Sequence, residues 1–334
     1  MKEITDYSKV FETLIEKTEE YVLGNNLHAM VLGISGGIDS TVVAAICHEV
    51  SKRTNIPLIG RSLPTKFNKE NEISAANLVG KAFCTDYKVA NLNRVYYTFL
   101  SQIMISEKED TNWDVDNSGN IVSVNTEGFQ TPIANGNIQA RLRMIYLYNL
   151  ASVYGGLVMD TDNLTENNLG YFTIHGDVGD FNPIGGLWKT EVFELAEYLL
   201  DKYNMLVINQ QLAPLNPPPK EVVDAFVQGQ AIKESLKLKP TAGLGITNND
   251  LEEIGAESYE QVDSILKEIL AWKWLSSERG ETYDSIWDMR HAFLEEQQML
   301  DTPIKVIIAV TDRHFKSEFK RKQLPIKITR DEIV

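Results

Sequence analysis

The chain has 334 residues, 43% hydrophobic and 24% charged, enough to bury a large core as two domains or as one α/β domain with insertions. Acidic residues outnumber basic ones 47 to 32, and the net charge of −15 argues against a binder of nucleic-acid backbone, a class that relies on Lys and Arg to displace counterions. No apolar stretch approaches the ~20 residues of a membrane span, and the acidic, helix-periodic N-terminus is unlike a secretory signal, so no membrane partner and a cytoplasmic location are expected.

Residues 6–23 read as an amphipathic helix with Val10, Leu14 and Tyr21 on one face. Next come a buried-type strand, "HAMVLGIS" (28–35), a glycine turn and a helix, "STVVAAICHEVSK" (40–52). The pattern repeats with strand "PLIGRSLP" (57–64), helix "NKENEISAANLVGKAF" (68–83) and strand "DYKVANL" (86–92). This alternation predicts a doubly wound parallel sheet flanked by helices. The polar, turn-rich stretch 106–132 reads as an insertion, with a hairpin around "DNSGNIVSV" (116–124).

After the insertion a long helix runs to Gly155, followed by the strand "GLVMDT" (156–161), a polar loop to Gly186 and the helix "KTEVFELAEYLLDKY" (189–203). The triplet "PPP" at 217–219 opens another helix, and the chain beyond 257 is helical to about 316. The expected organisation is an α/β domain over 1–272 carrying the insertion, and a helical C-terminal extension over 273–334 ending in a basic segment. Cys47 and Cys84 form neither a C-x-x-C nor a zinc pattern and are expected to be reduced and buried, while the histidines show no metal-ligand spacing.

The segment "GISGGIDS" (33–40) joins a strand to a helix through glycines. Such a turn offers unpaired N–H groups and the positive end of the helix dipole to an anion, and Ser35 and Ser40 add hydroxyls. Asp39 would repel a phosphate unless a cation lay between them, which is the chemistry of Mg²⁺. The motif has neither the G-K-[ST] ending of a Walker loop nor dinucleotide G-x-G-x-x-G spacing. "SGGIDS" resembles the signature of the ATP pyrophosphatases, an adenine nucleotide alpha hydrolase-like fold in which the loop holds the pyrophosphate of ATP while AMP is transferred.

Further motifs narrow the resemblance. Gly136-Asn137, Ala140 to Arg143, Thr161 to Glu166, Gly170 to Thr173, Gly176-Asp177 and Pro183 to Lys189 follow the order of the ammonia-dependent NAD synthetases. "KPTAGL", "YEQVDSIL" and "SEFKRKQLP" are similar to later motifs of the same family. The resemblance implies amidation of nicotinate adenine dinucleotide (deamido-NAD) with ammonia, through an acyl adenylate that releases pyrophosphate and then AMP.

It also implies residue roles. Gly33, Ile34, Ser35, Gly36, Gly37, Ile38, Asp39 and Ser40 would hold ATP, with Arg61, Thr161, Lys189 and Thr241. Asp39 and Glu166 would bind Mg²⁺, and with Lys189 they form the expected catalytic set. Arg141, Asp180, His175, Lys320 and Arg321 would contact deamido-NAD, whereas Arg143 reads as a solvated helix charge. Ile174 and Phe319 stand where the family often has basic residues. No upstream region holds a glutaminase cysteine, so free ammonia is the expected donor, and family habit implies a homodimer. The rival readings are a tRNA sulfurtransferase-like enzyme, disfavoured by two cysteines and the acidic charge, and a nucleotide sensor without turnover.

Overall fold

The computed structural model describes residues 3–107, 113–125, 131–212, 217–239, 250–296 and 302–334. The N-terminal half comprises α1 (Tyr7–Gly24), β1 (Met30–Gly33), α2 (Ile38–Thr54), β2 (Leu58–Ser62), α3 (Glu70–Phe83), β3 (Asp86–Val89), α4 (Asn93–Glu107), the hairpin β4 (Trp113–Val115) and β5 (Ile121–Val124), α5 (Pro132–Tyr154) and β6 (Leu157–Met159). Then follow α6 (Leu164–Leu169), β7 (Phe181–Asn182), α7 (Lys189–Leu212), α8 (Lys220–Leu236), α9 (Asp250–Ile254), α10 (Tyr259–Glu278), α11 (Ile286–Glu296), α12 (Ile304–Lys316), α13 (Glu318–Arg321), β8 (Ile326–Lys327) and α14 (Arg330–Ile333).

Six strands form one sheet in the order β3-β2-β1-β6-β7-β8, and every neighbouring pair is parallel. From β1 the chain first winds outward to β2 and β3, then returns to add β6, β7 and β8 on the other side. The order therefore reverses between β1 and β6, and the loops leaving their carboxyl ends part to form a crevice, where open α/β sheets bind ligands. The "GISGGIDS" turn and residues 160–163 are the two lips of that crevice.

The central strands are short, apolar and buried because helices cover both faces. One core lies between the sheet and α1, α2, α3, α7 and α8, and the other between the sheet and α4 and α5. A third cluster joins Leu169 of α6 and Trp188 to α10, α11 and α12. α5 starts where Thr131 accepts the Ala134 N–H and Pro132 stands at the first position, and it ends at Gly155 with φ +65°. Cys47 is buried, Cys84 partly so, and both are free.

Several features depart from the sequence-based expectation. α4 was not anticipated; Tyr96, Tyr97, Leu100 and Met104 give it a buried face. The polar loop before Gly186 contains α6 and β7, and the tail beyond the last long helix returns to the sheet as β8. Two-residue strands carry no alternation to read. The expected hairpin is present, with an irregularity between Asp114 and Val115, but other parts of the 106–132 insertion lie outside the described residues. No helix among the described residues is long and apolar enough to cross a membrane.

Candidate active site

The turn after β1 is built for close approach. Gly36 has φ +87°, and a Cβ there would lie 2.7 Å from both the Ala76 nitrogen and the Glu72 carbonyl oxygen, so only glycine fits. Gly37 caps α2 and, having no side chain, makes no side-chain cap bond to the first-turn N–H groups. Ser35 Oγ takes the Gly37 N–H at 3.2 Å and lies 3.0 Å from Ser40 Oγ, which itself donates to the Gly37 carbonyl at 3.0 Å. Helix dipole, first-turn N–H groups and two hydroxyls thus face one opening.

Asp39, in the first turn of α2, meets groups from two other elements. Lys189 Nζ donates to Asp39 Oδ2 at 2.5 Å and to Glu166 Oε1 at 3.1 Å, with the lysine 1% exposed. Burial alone would lower the lysine pKa, but the charges of Asp39 and Glu166 outweigh it and hold the ammonium well above its ordinary value. Asn163 ties the pair together: its Nδ2 donates to Asp39 Oδ1 at 2.9 Å, its backbone N–H donates to Glu166 Oε2 at 3.1 Å, and its Oδ1 accepts the Glu166 N–H at 3.0 Å. The last two bonds are the capping box of α6. Two carboxylates converging on one positive charge beside a phosphate-type turn are donors of the kind a hard cation takes together with phosphate oxygens and water. Among the described residues, no cluster of three or more His, Cys, Asp or Glu is arranged to hold a metal ion.

These groups open into a cleft of about 460 Å³, and a second cleft of about 520 Å³ adjoins it with Met144 and Phe172 in both walls. The inner cleft is strongly acidic at its floor. Asp162 is buried, its Oδ2 has no hydrogen-bond partner among the described residues, and desolvation with the charges of Asp160, Asp177, Glu166 and Asp39 raises its pKa well above the ordinary value. Desolvation likewise pushes Asp177 up to about 7 and Asp160 up to about 6, against the pull of their backbone hydrogen bonds.

A model of the NAD synthase family matches residues 10–324. The chain belongs to the NAD synthase family. An NH(3)-dependent NAD(+) synthetase of Methanococcoides burtonii is 32% identical over 250 residues, 74% of each chain, and one of Methanocaldococcus jannaschii is 29% identical over 97% of this chain and 96% of its own. Among solved structures, the NMN synthetase of Francisella tularensis superposes with a TM-score of 0.61 over 95% of this chain and 97% of its own at 24% identity. The NAD+ synthetase of Burkholderia pseudomallei gives 0.52 at 21% identity, over 96% of this chain and 92% of its own. At these identities the likeness is one of fold, the doubly wound parallel sheet expected from the sequence.

Within this NAD synthase fold, Thr161, Lys189, Glu166 and most of the 33–40 turn line the inner cleft, whereas Thr241 lies outside the described residues. Arg61 also borders it, but its guanidinium is 2.7 Å from Asp86 Oδ2 and bonds the carbonyls of Gly60 and Asp86. Arg141 and His175 line the outer cleft: the first is exposed with Nε 3.3 Å from the Ile174 carbonyl, and the second holds a left-handed φ of +59°. Asp180 stands in neither wall, and its Oδ2 accepts the Val158 N–H at 2.9 Å. Lys320 lies at the edge of the inner cleft and donates to the carbonyls of Gly170 and Phe172 at 2.8 and 2.6 Å. Arg321 donates to the Asn168 carbonyl at 2.8 Å, so both basic residues hold the chain at the carboxyl end of α6.

Some site residues escaped the sequence reading. Arg143 is not a solvated charge: it lines the inner cleft, with Nε on the Leu63 carbonyl at 3.1 Å and Nη2 on Asn68 Oδ1 at 3.1 Å. Positions two apart on a helix point about 200° apart, so Arg141 and Arg143 serve different clefts. Asn163 was visible only as an N-cap preceding Glu166 by three residues, a signal of a helix start rather than of a site.

Proposed function

We propose that this chain is an ammonia-dependent NAD synthetase: it binds ATP in the inner cleft and deamido-NAD in the outer one, and joins ammonia to the nicotinate carboxyl. The observation that carries this reading is the convergence of the phosphate-type turn with Asp39, Glu166 and Lys189 beside a second cleft bearing Arg141. The names of the relatives support the choice of ammonia and of product.

A carboxylate is a poor electrophile until its oxygen carries a good leaving group. Its oxygen attacks the α-phosphorus, the bond to pyrophosphate breaks, and the turn's N–H groups receive the departing charge. Ammonia then attacks the acyl carbon, the C–O bond to AMP breaks, and a proton leaves nitrogen. Asp39 and Glu166 would hold Mg²⁺, which when bound neutralises phosphate charge and aligns its oxygens. Lys189 supplies a fixed positive charge beside the transferring phosphoryl group, and Arg141 orients the second substrate. A homodimer is the proposed assembly, supported by the exposed apolar side chains of Ile133, Ile145 and Val153 along α5. A cytoplasmic location follows from the same metabolic role.

The test is AMP and NAD+ formation by the purified chain with ATP, Mg²⁺ and deamido-NAD, with and without ammonium. The two products are expected in equal amounts and only with ammonium; ATP binding without either product would refute the reading.

A further inference from the structure

Glu166 and Lys189 are carried by different helices, α6 and α7, yet their side chains meet at 3.1 Å. That separation depends on how the two helix starts are held together, and a third helix does the holding. Asp263, one turn into α10 and 1% exposed, accepts a short hydrogen bond from Thr165 Oγ1 through Oδ1. Its Oδ2 accepts the Thr190 N–H at 3.1 Å and the Thr190 hydroxyl at 2.9 Å. Thr165 Oγ1 in turn accepts the Lys189 N–H at 2.8 Å.

The threonines are the immediate neighbours of the two reacting-site residues: Thr165 precedes Glu166 and Thr190 follows Lys189. One carboxylate thus takes an otherwise orphaned amide at the start of α7 and, through one hydroxyl, fixes the start of α6 against it. Tyr259 lies four residues before Asp263 on the same face of α10, with its ring 5.7 Å from Lys189 Nζ. α10 therefore addresses this lysine twice, at its backbone and at its ammonium. A cap satisfies the N–H groups of one helix, whereas this carboxylate binds groups at two helix starts at once.

We propose that Asp263 is a positioning residue: through Thr165 and Thr190 it sets the spacing of the Glu166 carboxylate and the Lys189 ammonium across the inner cleft. The proposal rests on the reading of those two groups as the phosphate-handling pair.

The test uses the full chain with Thr165→Val, which keeps the shape and deletes both hydroxyl bonds, Thr165→Ser, which restores them, and Asp263→Asn. Misplacement on the scale of 1 Å costs about 100-fold in rate, so Thr165→Val is expected to lower kcat by about that factor with KM for deamido-NAD unchanged. Thr165→Ser is expected to recover most of the loss, and Asp263→Asn to fall between. Amide hydrogen exchange without any ligand gives an independent reading: the Lys189 amide should lose protection in Thr165→Val and keep it in Thr165→Ser. Wild-type kcat or unchanged Lys189 protection in Thr165→Val overturns the proposal, as does a loss of rate that only follows a loss of folded protein and that serine does not restore. If the wild-type chain makes no NAD+, the functional reading fails, and the exchange data still decide whether Asp263 and Thr165 hold the two helix starts together.

Discussion

Replacing Lys189 by methionine keeps most of its volume and removes the ammonium on which Asp39 and Glu166 converge. Lys189 is 1% exposed and each carboxylate 17% exposed in its side chain, so the pair is largely, not wholly, desolvated. Removing one partner of a buried ion pair costs about 3–5 kcal/mol, and the residual exposure of the carboxylates puts the expectation near the lower bound, about 3 kcal/mol. For a chain of this size each kcal/mol moves the unfolding temperature by roughly 2 °C, so a fall of about 6 °C is expected in metal-free buffer at pH 7. Millimolar Mg²⁺ should return part of that loss in Lys189→Met and little in the wild type, because the variant removes the ammonium that both carboxylates share. Turnover should fall by about 1000-fold, the scale set by losing a fixed charge at a reacting oxyanion. Thermal unfolding with and without Mg²⁺, alongside AMP formation, measures both. Equal melting of variant and wild type without metal, or no selective response to Mg²⁺, would show that the Lys189 ammonium does not hold Asp39 and Glu166 together.

Other expectations follow from the same geometry. Gly170→Ala faces φ +68° and a Cβ 2.3 Å from that of Ser317, so a loss of about 3 kcal/mol is expected in chemical denaturation, and adding Ser317→Gly should recover the steric part only. Burial, helped by the charges of Arg321 and Lys273, lowers the His314 pKa to about 3, so the folded chain holds this ring neutral. Its stabilising contribution is complete above the ordinary value of 6.5 and is lost as the pH falls from there towards 3; His314→Phe should flatten the stability profile across that window. Glu318 adds to the acid loss at lower pH: burial opposes its ionisation, but the Arg321 hydrogen bond and the Lys273 charge win and bring its pKa to about 2, so its contribution fades only below its ordinary value of 4.5. Arg141→Ala should raise KM for deamido-NAD by about tenfold without changing the melting temperature, whereas Arg143→Ala, which frees the Leu63 carbonyl, should also lower stability by about 1–2 kcal/mol.

The alternation of β1, α2, β2, α3 and β3 was legible because short apolar runs, β1 and β2, stand between longer helical segments, and Gly36-Gly37, Pro57 and Pro64 mark the turns that separate them. The phosphate turn was legible for a stronger reason: Gly36 tolerates no other side chain, and Asp39 makes sense in such a turn only with a cation beside it. Glu166 and Lys189 emerged from motif resemblance, not from pattern, since an acid in a polar loop and a lysine at a helix start have no periodic signature. What stayed hidden were contacts distant in sequence: Asp263 on Thr165 and Thr190, and Asn163 on Asp39. Lys320 and Arg321 show the opposite case, a conspicuous basic run whose partners are the carbonyls of Asn168, Gly170 and Phe172. Charge was readable there, but the acceptors were backbone atoms brought close only by the packing of α12 against α6.

If the nicotinate carboxylate itself is adenylated, one of its oxygens must pass to AMP, and oxygen-isotope transfer reads that passage. Deamido-NAD labelled with ¹⁸O in the nicotinate carboxyl is incubated with the chain, ATP, Mg²⁺ and ammonium, and the products are weighed by mass spectrometry. One labelled oxygen is expected in the phosphate of AMP for each NAD+ formed, and none in pyrophosphate. Label retained in unreacted substrate while AMP appears unlabelled, or label carried into pyrophosphate or inorganic phosphate, would contradict adenylation of the carboxylate.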